Sequence, residues 1–170
     1  EKMNKFAYCT DRRGLVHRAE FESFKHWEYP WLIKHGEFKP GAKLLDCGCG
    51  RRILQFYLAK KGYDVTSVDI STLKARQIQH FWNLMRKFGL PVTEDKASAM
   101  KAIAGRYGTS IDFHVANIAR LPFSDEAFDY VYSISVLEHM EKGEDVMAMK
   151  EMSRVLKKGG KAVFLETIAF

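Results

Sequence analysis

Cysteine is scarce in this chain, and its spacing is informative. The 170 residues include three cysteines, Cys9, Cys47 and Cys49, and no two of them form a CxxC pair. An odd number of cysteines without such a pair argues against a disulfide framework and against a structural zinc site. We therefore expect no bound metal and a reducing, cytoplasmic setting.

Long apolar runs are also missing. No stretch approaches the roughly 18 residues that a membrane-spanning helix needs, and no signal peptide is evident at the N-terminus. The composition, with 46% hydrophobic and 28% charged residues, is typical of a globular domain. Because the chain begins with Glu1 and not with Met, we expect it to be a piece of a longer protein. The formal charge of +6 permits a nucleic-acid partner but does not favour one.

Strands and helices alternate along most of the chain. Short apolar runs bounded by turn residues predict five strands, within residues 42–47, 63–70, 110–116, 128–135 and 161–170. Helical periodicity predicts helices within residues 53–62, 72–88, 93–108 and 144–156. This alternation predicts an α/β fold, a Rossmann-like, doubly wound and mainly parallel sheet that stops after its fifth strand. Ligands of such sheets bind at the carboxyl ends of the strands.

The first 38 residues differ from the rest in pattern. We expect residues 1–38 to form an N-terminal helical segment and residues 39–170 to form the core domain. A helix is predicted over residues 19–36, with Pro30 interrupting it and Gly36 ending it.

The turn after the first predicted strand, in LLDCGCGRR (44–52), suits a ligand. Gly48 and Gly50 allow a close approach to the backbone, and the following helix offers free N–H groups. A dinucleotide site would need a third glycine where Ile53 stands. A pyrophosphate would also leave the acidic Asp46 unexplained.

The second predicted strand ends at Asp69. A carboxylate in that place can accept hydrogen bonds from both hydroxyls of a ribose. Together with Asp46, it predicts a nucleoside that carries a cationic, amino-acid-like tail.

Four sequence blocks extend this pattern. In chain order they are LLDCGCG, VDIS, ANIARLPFSDEAFDYVYSISVLEHM and VLKKGGKAVF. In order and spacing they resemble the class I S-adenosylmethionine-dependent methyltransferases, in the branch of quinone-biosynthesis and other small-molecule enzymes. The resemblance covers roughly residues 40–170 and implies methyl transfer from S-adenosylmethionine to an oxygen, nitrogen or carbon of a small-molecule acceptor.

The resemblance implies a role for each matching residue. Asp46, Gly48 and Gly50 would hold the methionine end, near Ser133, and Asp69 would bind the ribose. Ile70 would pack on the adenine, and the Asn117 side-chain amide and the Ile118 backbone N–H would meet its edge. The whole expected set of cofactor contacts is Asp46, Gly48, Cys49, Gly50, Asp69, Ile70, Asn117, Ile118 and Ser133.

Other roles stay open at this point. His139 and Glu138 follow the fourth strand and could take a proton from the acceptor, or could be polar residues at the mouth of the site. Arg52 stands where the family commonly has a small residue, and it could meet the methionine carboxylate or lie in solvent. Aromatic residues of the N-terminal segment could cover the cofactor, namely Tyr8, Trp27, Tyr29 and Trp31.

Two other functions are compatible with the sequence besides catalysis on a small molecule. One is a SAM-binding module without catalysis, and the other is an RNA methyltransferase, which would rest on the positive charge alone. In the resembling family a helix and two more strands follow the fifth strand. We therefore expect Lys161–Glu166 to be covered by further residues of the native protein or by a second copy of the chain, as a homodimer.

Overall fold

The computed structural model describes residues 25–50, 53–70, 86, 89 and 96–166. The chain divides into two compact units, Glu1–Phe38 and Lys39–Phe170. The function of residues 1–38 as a lid stays a prediction, and Tyr8, Ser71 and the helix expected over residues 72–88 lie wholly or mostly outside the described residues.

One helix, α1 (Lys25–His35), is described in the first unit. It ends as predicted, with the Gly36 N–H donating to Leu32 O at 2.7 Å. The expected interruption at Pro30 is wrong, because the helix runs through that residue. A proline has a helical φ of about −65°, so its cost is local: one lost hydrogen bond and crowding against the preceding turn.

Within the described residues, the second unit holds the five predicted strands and three of the four predicted helices. Its strands are β1 (Lys43–Cys47), β2 (Asp64–Asp69), β3 (Asp112–Val115), β4 (Phe128–Ile134) and β5 (Leu156–Leu165). Its helices are α2 (Leu54–Lys60), α3 (Lys96–Arg106) and α4 (Glu144–Val155), with a short 3₁₀ turn at Leu137–His139. In the described parts of the chain, no helix has the length and apolar character that crossing a membrane requires.

The five strands form one parallel sheet in the order β3-β2-β1-β4-β5. The predicted α/β, Rossmann-like fold is therefore confirmed. The strand order reverses direction between β1 and β4, and ligands of open α/β sheets bind beside such a switch point. β1 lies in the middle, so the turn that follows it is at the centre of the carboxyl edge.

One face of the sheet packs against α4. Leu45 and Val131 of the sheet share a buried cluster with a stripe of α4 made of Ala148, Met152 and Val155. The apolar residues of this helix predict instead that one side made of Val146, Met149, Met152 and Leu156 is buried, and this is wrong for two of them: Val146 is 51% exposed and Met149 is 48% exposed. The buried stripe follows the i, i+4, i+7 spacing through the small Ala148, which the apolar pattern did not reveal.

The residues KKGG (157–160), whose composition predicts a turn, lie inside β5. Phe128 pairs with Leu156 and Tyr130 pairs with Lys161, so the residues between bulge out of the ladder. A Cβ at Gly160 would lie 2.8 Å from Asp129 O, which explains the glycine there.

Candidate functional site

The turn after β1 is bonded to the end of β2. The Gly48 and Cys49 N–H groups both donate to Val68 O, at 2.8 and 3.2 Å. Gly48 has φ +79°, and a Cβ there would lie 2.6 Å from Cγ2 of Val136, which follows β4. Glycine is thus needed at position 48 both for its backbone conformation and for contact between the two turns.

Gly50 differs from Gly48 in what surrounds it. Its φ is +59°, and no atom of the described residues would lie within 4 Å of a Cβ there. The described part of the chain thus leaves space beside this backbone for a ligand. Arg52 lies outside the described residues, so its role stays a prediction.

Cys49 lies buried between the two glycines. Its thiol is 3.7 Å from Gly50 O, and burial, together with nearby acids, raises the pKa of this thiol well above its ordinary value. The side chain is therefore a small neutral group and not a nucleophile. Its predicted contact with the cofactor is untested.

Asp46 is a buried acid near the end of β1. It is 5% exposed. Burial and, to a lesser degree, the charge of Asp69 raise the pKa of Asp46 to about 8, while a hydrogen bond with the Tyr132 phenol acts in the opposite direction. A cation placed beside Asp46 would favour its carboxylate form. This position therefore suits the positively charged end of a ligand.

Polar groups flank Asp46 in the sheet. The register pairs Asp46 with Ser67 of β2 and with Tyr132 of β4. Ser67 Oγ is buried without a hydrogen-bond partner among the described residues, as are both amide atoms of Gln55 in α2. Buried polar atoms of this kind usually bind water or a ligand. The interior behind the glycine turn thus has hydrogen-bonding capacity that the described protein does not use.

Asp69 ends β2 and has both carboxylate oxygens engaged. Oδ1 accepts a 2.7 Å hydrogen bond from the Ile70 N–H, and Oδ2 is 3.0 Å from Nζ of Lys96. The Lys96 ammonium also donates to Ile70 O at 3.2 Å. The Ile70 side chain is 52% exposed. The structure thus places an ordered carboxylate next to an exposed apolar side chain, as a ribose and an adenine require.

Asn117 and Ile118 follow β3, beside β2. The Ala116 N–H donates to Asp69 O at 3.0 Å, which joins the two strand ends. Asn117 Oδ1 accepts a hydrogen bond from the Ala119 N–H at 2.8 Å, and an amide oxygen keeps a second lone pair. Asn117 is exposed while Ile118 is buried. Both lie at the predicted edge, and their contact with an adenine stays a prediction.

Ser133 lies in β4, paired with Cys47 of β1. It is fully buried, and its Oγ has no hydrogen-bond partner in the described part of the chain. The next turn is unusual, because Ser135 has φ +53° and donates its N–H to Leu165 O at 2.7 Å. This conformation turns the chain so that the Val136 side chain lies against Gly48.

Glu138 and His139 are exposed on the 3₁₀ turn after β4. Glu166, just after β5, accepts a hydrogen bond from the Val136 N–H at 3.2 Å. Burial and a hydrogen bond with the Glu138 carboxyl raise the pKa of Glu166 to about 8. Glu138 is therefore one half of a carboxyl pair, and its predicted catalytic role, like that of His139, is untested.

Four residues at this edge were not found from the sequence. Tyr132 could have been found, because it directly precedes Ser133 in the predicted fourth strand. The contacts made by the others depend on the fold, since no local pattern marks a lysine, valine or glutamate of this kind. These residues are Lys96, Tyr132, Val136 and Glu166.

This arrangement fits S-adenosylmethionine. The open space at Gly50 admits a ligand to the backbone, and the buried Ser133 hydroxyl has hydrogen-bonding capacity to spare. Asp69 offers acceptor oxygens to a ribose, and Asp46 offers a carboxyl to a cation. Among the residues described, no three His, Cys, Asp or Glu side chains cluster as a metal site would need.

Comparison with known proteins identifies the family. The methyltransferase domain matches residues 45–164. Demethylmenaquinone methyltransferase of Staphylococcus carnosus is 33% identical over 161 residues, which cover 93% of this chain and 56% of the relative. Cycloartenol-C-24-methyltransferase 1 of Oryza sativa subsp. japonica is 34% identical over 143 residues, which cover 81% of this chain and 34% of the relative.

A solved structure agrees with these relatives. The PH0226 protein of Pyrococcus horikoshii OT3 is 28% identical, with a TM-score of 0.60, over 89% of this chain and 54% of that protein. The chain spans about half the length, or less, of the relatives it matches. Because the match runs from β1 to β5 and includes the glycine turn, the chain belongs to the class I S-adenosylmethionine-dependent methyltransferase family.

Proposed function

We propose that this chain binds S-adenosylmethionine and transfers its methyl group to an oxygen, nitrogen or carbon of a small-molecule acceptor. The observation that carries the proposal is the pair of acids on neighbouring strands, Asp46 and Asp69, beside the glycine turn. A buried acid of raised pKa next to a ribose-type carboxylate suits a nucleoside with a cationic tail.

Each residue has a distinct part in this proposal. Bound S-adenosylmethionine supplies a sulfonium-activated methyl group, which an acceptor nucleophile takes by in-line displacement. Asp69 accepts hydrogen bonds from the ribose hydroxyls, and Ile70 packs on the adenine. Asp46 ionises beside the cationic end and offsets its charge. Since positioning dominates a displacement of this kind, an ordered site contributes more than a dedicated base does.

The carboxyl pair provides a place for the acceptor's proton. Glu138 and Glu166 share a hydrogen bond at the carboxyl ends of β4 and β5. Because the pKa of Glu166 is raised to about 8, this carboxyl group becomes ionised, and so able to accept a proton, as pH rises toward that value. His139 is exposed on the same turn. An oxygen or nitrogen acceptor could therefore lose its proton to this turn.

The acceptor is proposed to be largely apolar. The two named relatives are a demethylmenaquinone and a cycloartenol methyltransferase. In this chain the turn after β4 carries three partly buried apolar side chains, Val136, Leu137 and Met140. Apolar walls with few polar groups are typical of sites for hydrophobic small molecules.

A label-transfer assay tests the proposal. The chain is incubated with methyl-labelled S-adenosylmethionine and with reduced demethylmenaquinone, cycloartenol or, as a polar control, glycine. We expect labelled product with an apolar acceptor and none with glycine, and Asp69→Ala serves as the blank. Cofactor binding without transfer to either apolar acceptor would favour a non-catalytic binding module, and transfer to RNA in a parallel incubation would favour an RNA methyltransferase.

A further inference from the structure

Lys96 is a buried lysine at the start of α3. Its side chain is 5% exposed, and its ammonium is 5.8 Å from the centroid of the Phe113 ring. A buried ammonium costs several kcal/mol unless partners compensate it. Its polar partners are Asp69 Oδ2 at 3.0 Å and Ile70 O at 3.2 Å. Both partners belong to the end of β2, where the ribose is proposed to bind.

The Asp69 carboxylate is held on both oxygens. The Ile70 N–H fixes Oδ1 and the Lys96 ammonium fixes Oδ2. A carboxylate offers about four lone-pair positions, so about two remain after these contacts. A ribose diol donates two hydrogen bonds. Asp69 is 15% exposed, so the remaining positions are within reach of a ligand at the sheet edge.

We propose that Lys96 is a positioning residue of the cofactor site, which orients the Asp69 carboxylate toward the two ribose hydroxyls. The inference rests on the proposed function. This role gives α3 a part in cofactor binding, because α3 carries the lysine that orders the carboxylate to which the ribose is proposed to bind. Lys96 acts through Asp69 and does not itself take part in methyl transfer.

Two other roles for Lys96 make different predictions. A purely structural clamp would attach α3 to β2, and its loss would weaken all ligands of this site by the same factor. A lysine that occupies the place of the ribose would compete with the cofactor, and its loss would tighten binding. Only a positioning role makes the loss of affinity depend on whether the ligand carries the ribose hydroxyls.

Calorimetry with two ligands separates these roles. S-adenosylhomocysteine and its 2′,3′-dideoxyribose analogue are titrated into the parent chain, Lys96→Met and Lys101→Met. Lys101 is an exposed lysine of the same helix and provides the matched control. We expect Lys96→Met to lose about tenfold in affinity for S-adenosylhomocysteine, the scale of one charge-assisted contact. The analogue should change by less than about twofold, and Lys101→Met should bind both ligands as the parent does.

Each other outcome overturns the inference. Equal losses for the two ligands indicate a clamp, and tighter S-adenosylhomocysteine binding indicates a competitor. If the parent binds S-adenosylhomocysteine more tightly than the dideoxyribose analogue and Lys96→Met keeps that preference, this inference fails while the proposed function stands. If the parent binds neither ligand, both fail. If Lys96→Met does not fold, Lys96→Gln is measured in the same way. Lys96→Arg keeps the charge, so it should retain more of the preference for S-adenosylhomocysteine over the analogue than either of these variants does.

Discussion

Gly48 and Val136 contact each other so closely that no other residue fits at position 48. A Cβ there would lie 2.6 Å from Val136 Cγ2 and 2.7 Å from Cγ1. The turn after β1 and the turn after β4 therefore pack directly on each other. Since the first turn borders the proposed cofactor site and the second leads to Glu138 and His139, this contact fixes the two turns of the proposed site relative to each other.

Gly48→Ala is expected to weaken S-adenosylhomocysteine binding by tenfold or more and to lower the melting temperature. The φ of +79° costs a non-glycine residue about 1–2 kcal/mol, and the contact with Val136 adds to this. Gly62→Ala is the matched control, because Gly62 has φ +91° with nothing within 4 Å of its Cβ position. It should lose stability but not affinity. Adding Val136→Ala to Gly48→Ala should restore part of the loss, and parent-like behaviour of Gly48→Ala would contradict the account.

Asp46→Asn is expected to flatten the pH dependence of stability. The folded chain holds the Asp46 proton up to pH about 8, whereas the ordinary pKa is 3.8. Unfolding therefore releases this proton at intermediate pH, and the free energy of unfolding falls as pH rises through this window, by a few kcal/mol in order of magnitude. Urea unfolding at pH 5 and pH 8 measures the fall. Glu166 adds to the slope in both proteins, so an equal slope in parent and Asp46→Asn would show that Asp46 has no raised pKa.

The preference for S-adenosylmethionine over S-adenosylhomocysteine is expected to grow with pH. The two ligands share their amino-acid group and ribose, so the sulfonium charge is the difference between them. Asp46 becomes ionised as pH rises through its pKa of about 8, and an anion stabilises a nearby cation. Calorimetry at pH 6.5 and pH 8.5 should show a rising affinity ratio in the parent and a constant ratio in Asp46→Asn. A constant ratio in both would place the sulfonium away from Asp46.

Arg154→Met is expected to lower the free energy of unfolding by about 1–3 kcal/mol. The guanidinium joins α4 to the loop between β3 and β4, with contacts to Phe123 O at 2.8 Å, Asp125 at 2.7 Å and Glu151 at 2.8 Å. The bond to Arg154 lowers the pKa of Glu151 below its ordinary value of 4.5, so this contribution should shrink only as pH falls from 4.5 through that lowered pKa. Urea unfolding at pH 7 and at pH about 3 measures both effects.

Lys158→Met is the control for this prediction. Its ammonium is 92% exposed and 3.6 Å from Glu126, so its removal should change stability by less than about 1 kcal/mol. If Arg154→Met loses no more free energy of unfolding than Lys158→Met does, Arg154 does not stabilise the loop between β3 and β4.

The position of the candidate site could be predicted, but many of the contacts that support it could not. Asp46 and Asp69 lie at or next to the carboxyl ends of apolar strands, and those ends meet at one edge of a parallel sheet. Lys96 was missed, because its contact with Asp69 joins two parts of the chain that no local pattern relates. The buried face of α4 was misassigned for a similar reason, since Ala148 contributes little to an apolar pattern but fits closely against the sheet.

Titration calorimetry with S-adenosylhomocysteine tests whether Asp69 binds the ribose of the cofactor. The parent is expected to bind one equivalent, and Asp69→Ala is expected to lose at least about tenfold in affinity, on the scale of charge-assisted hydrogen bonds to the ribose. Asp64→Ala removes an exposed acid from the opposite end of the same strand, and it should bind as the parent does. Parent-like binding by Asp69→Ala, or no binding by the parent, would contradict the account.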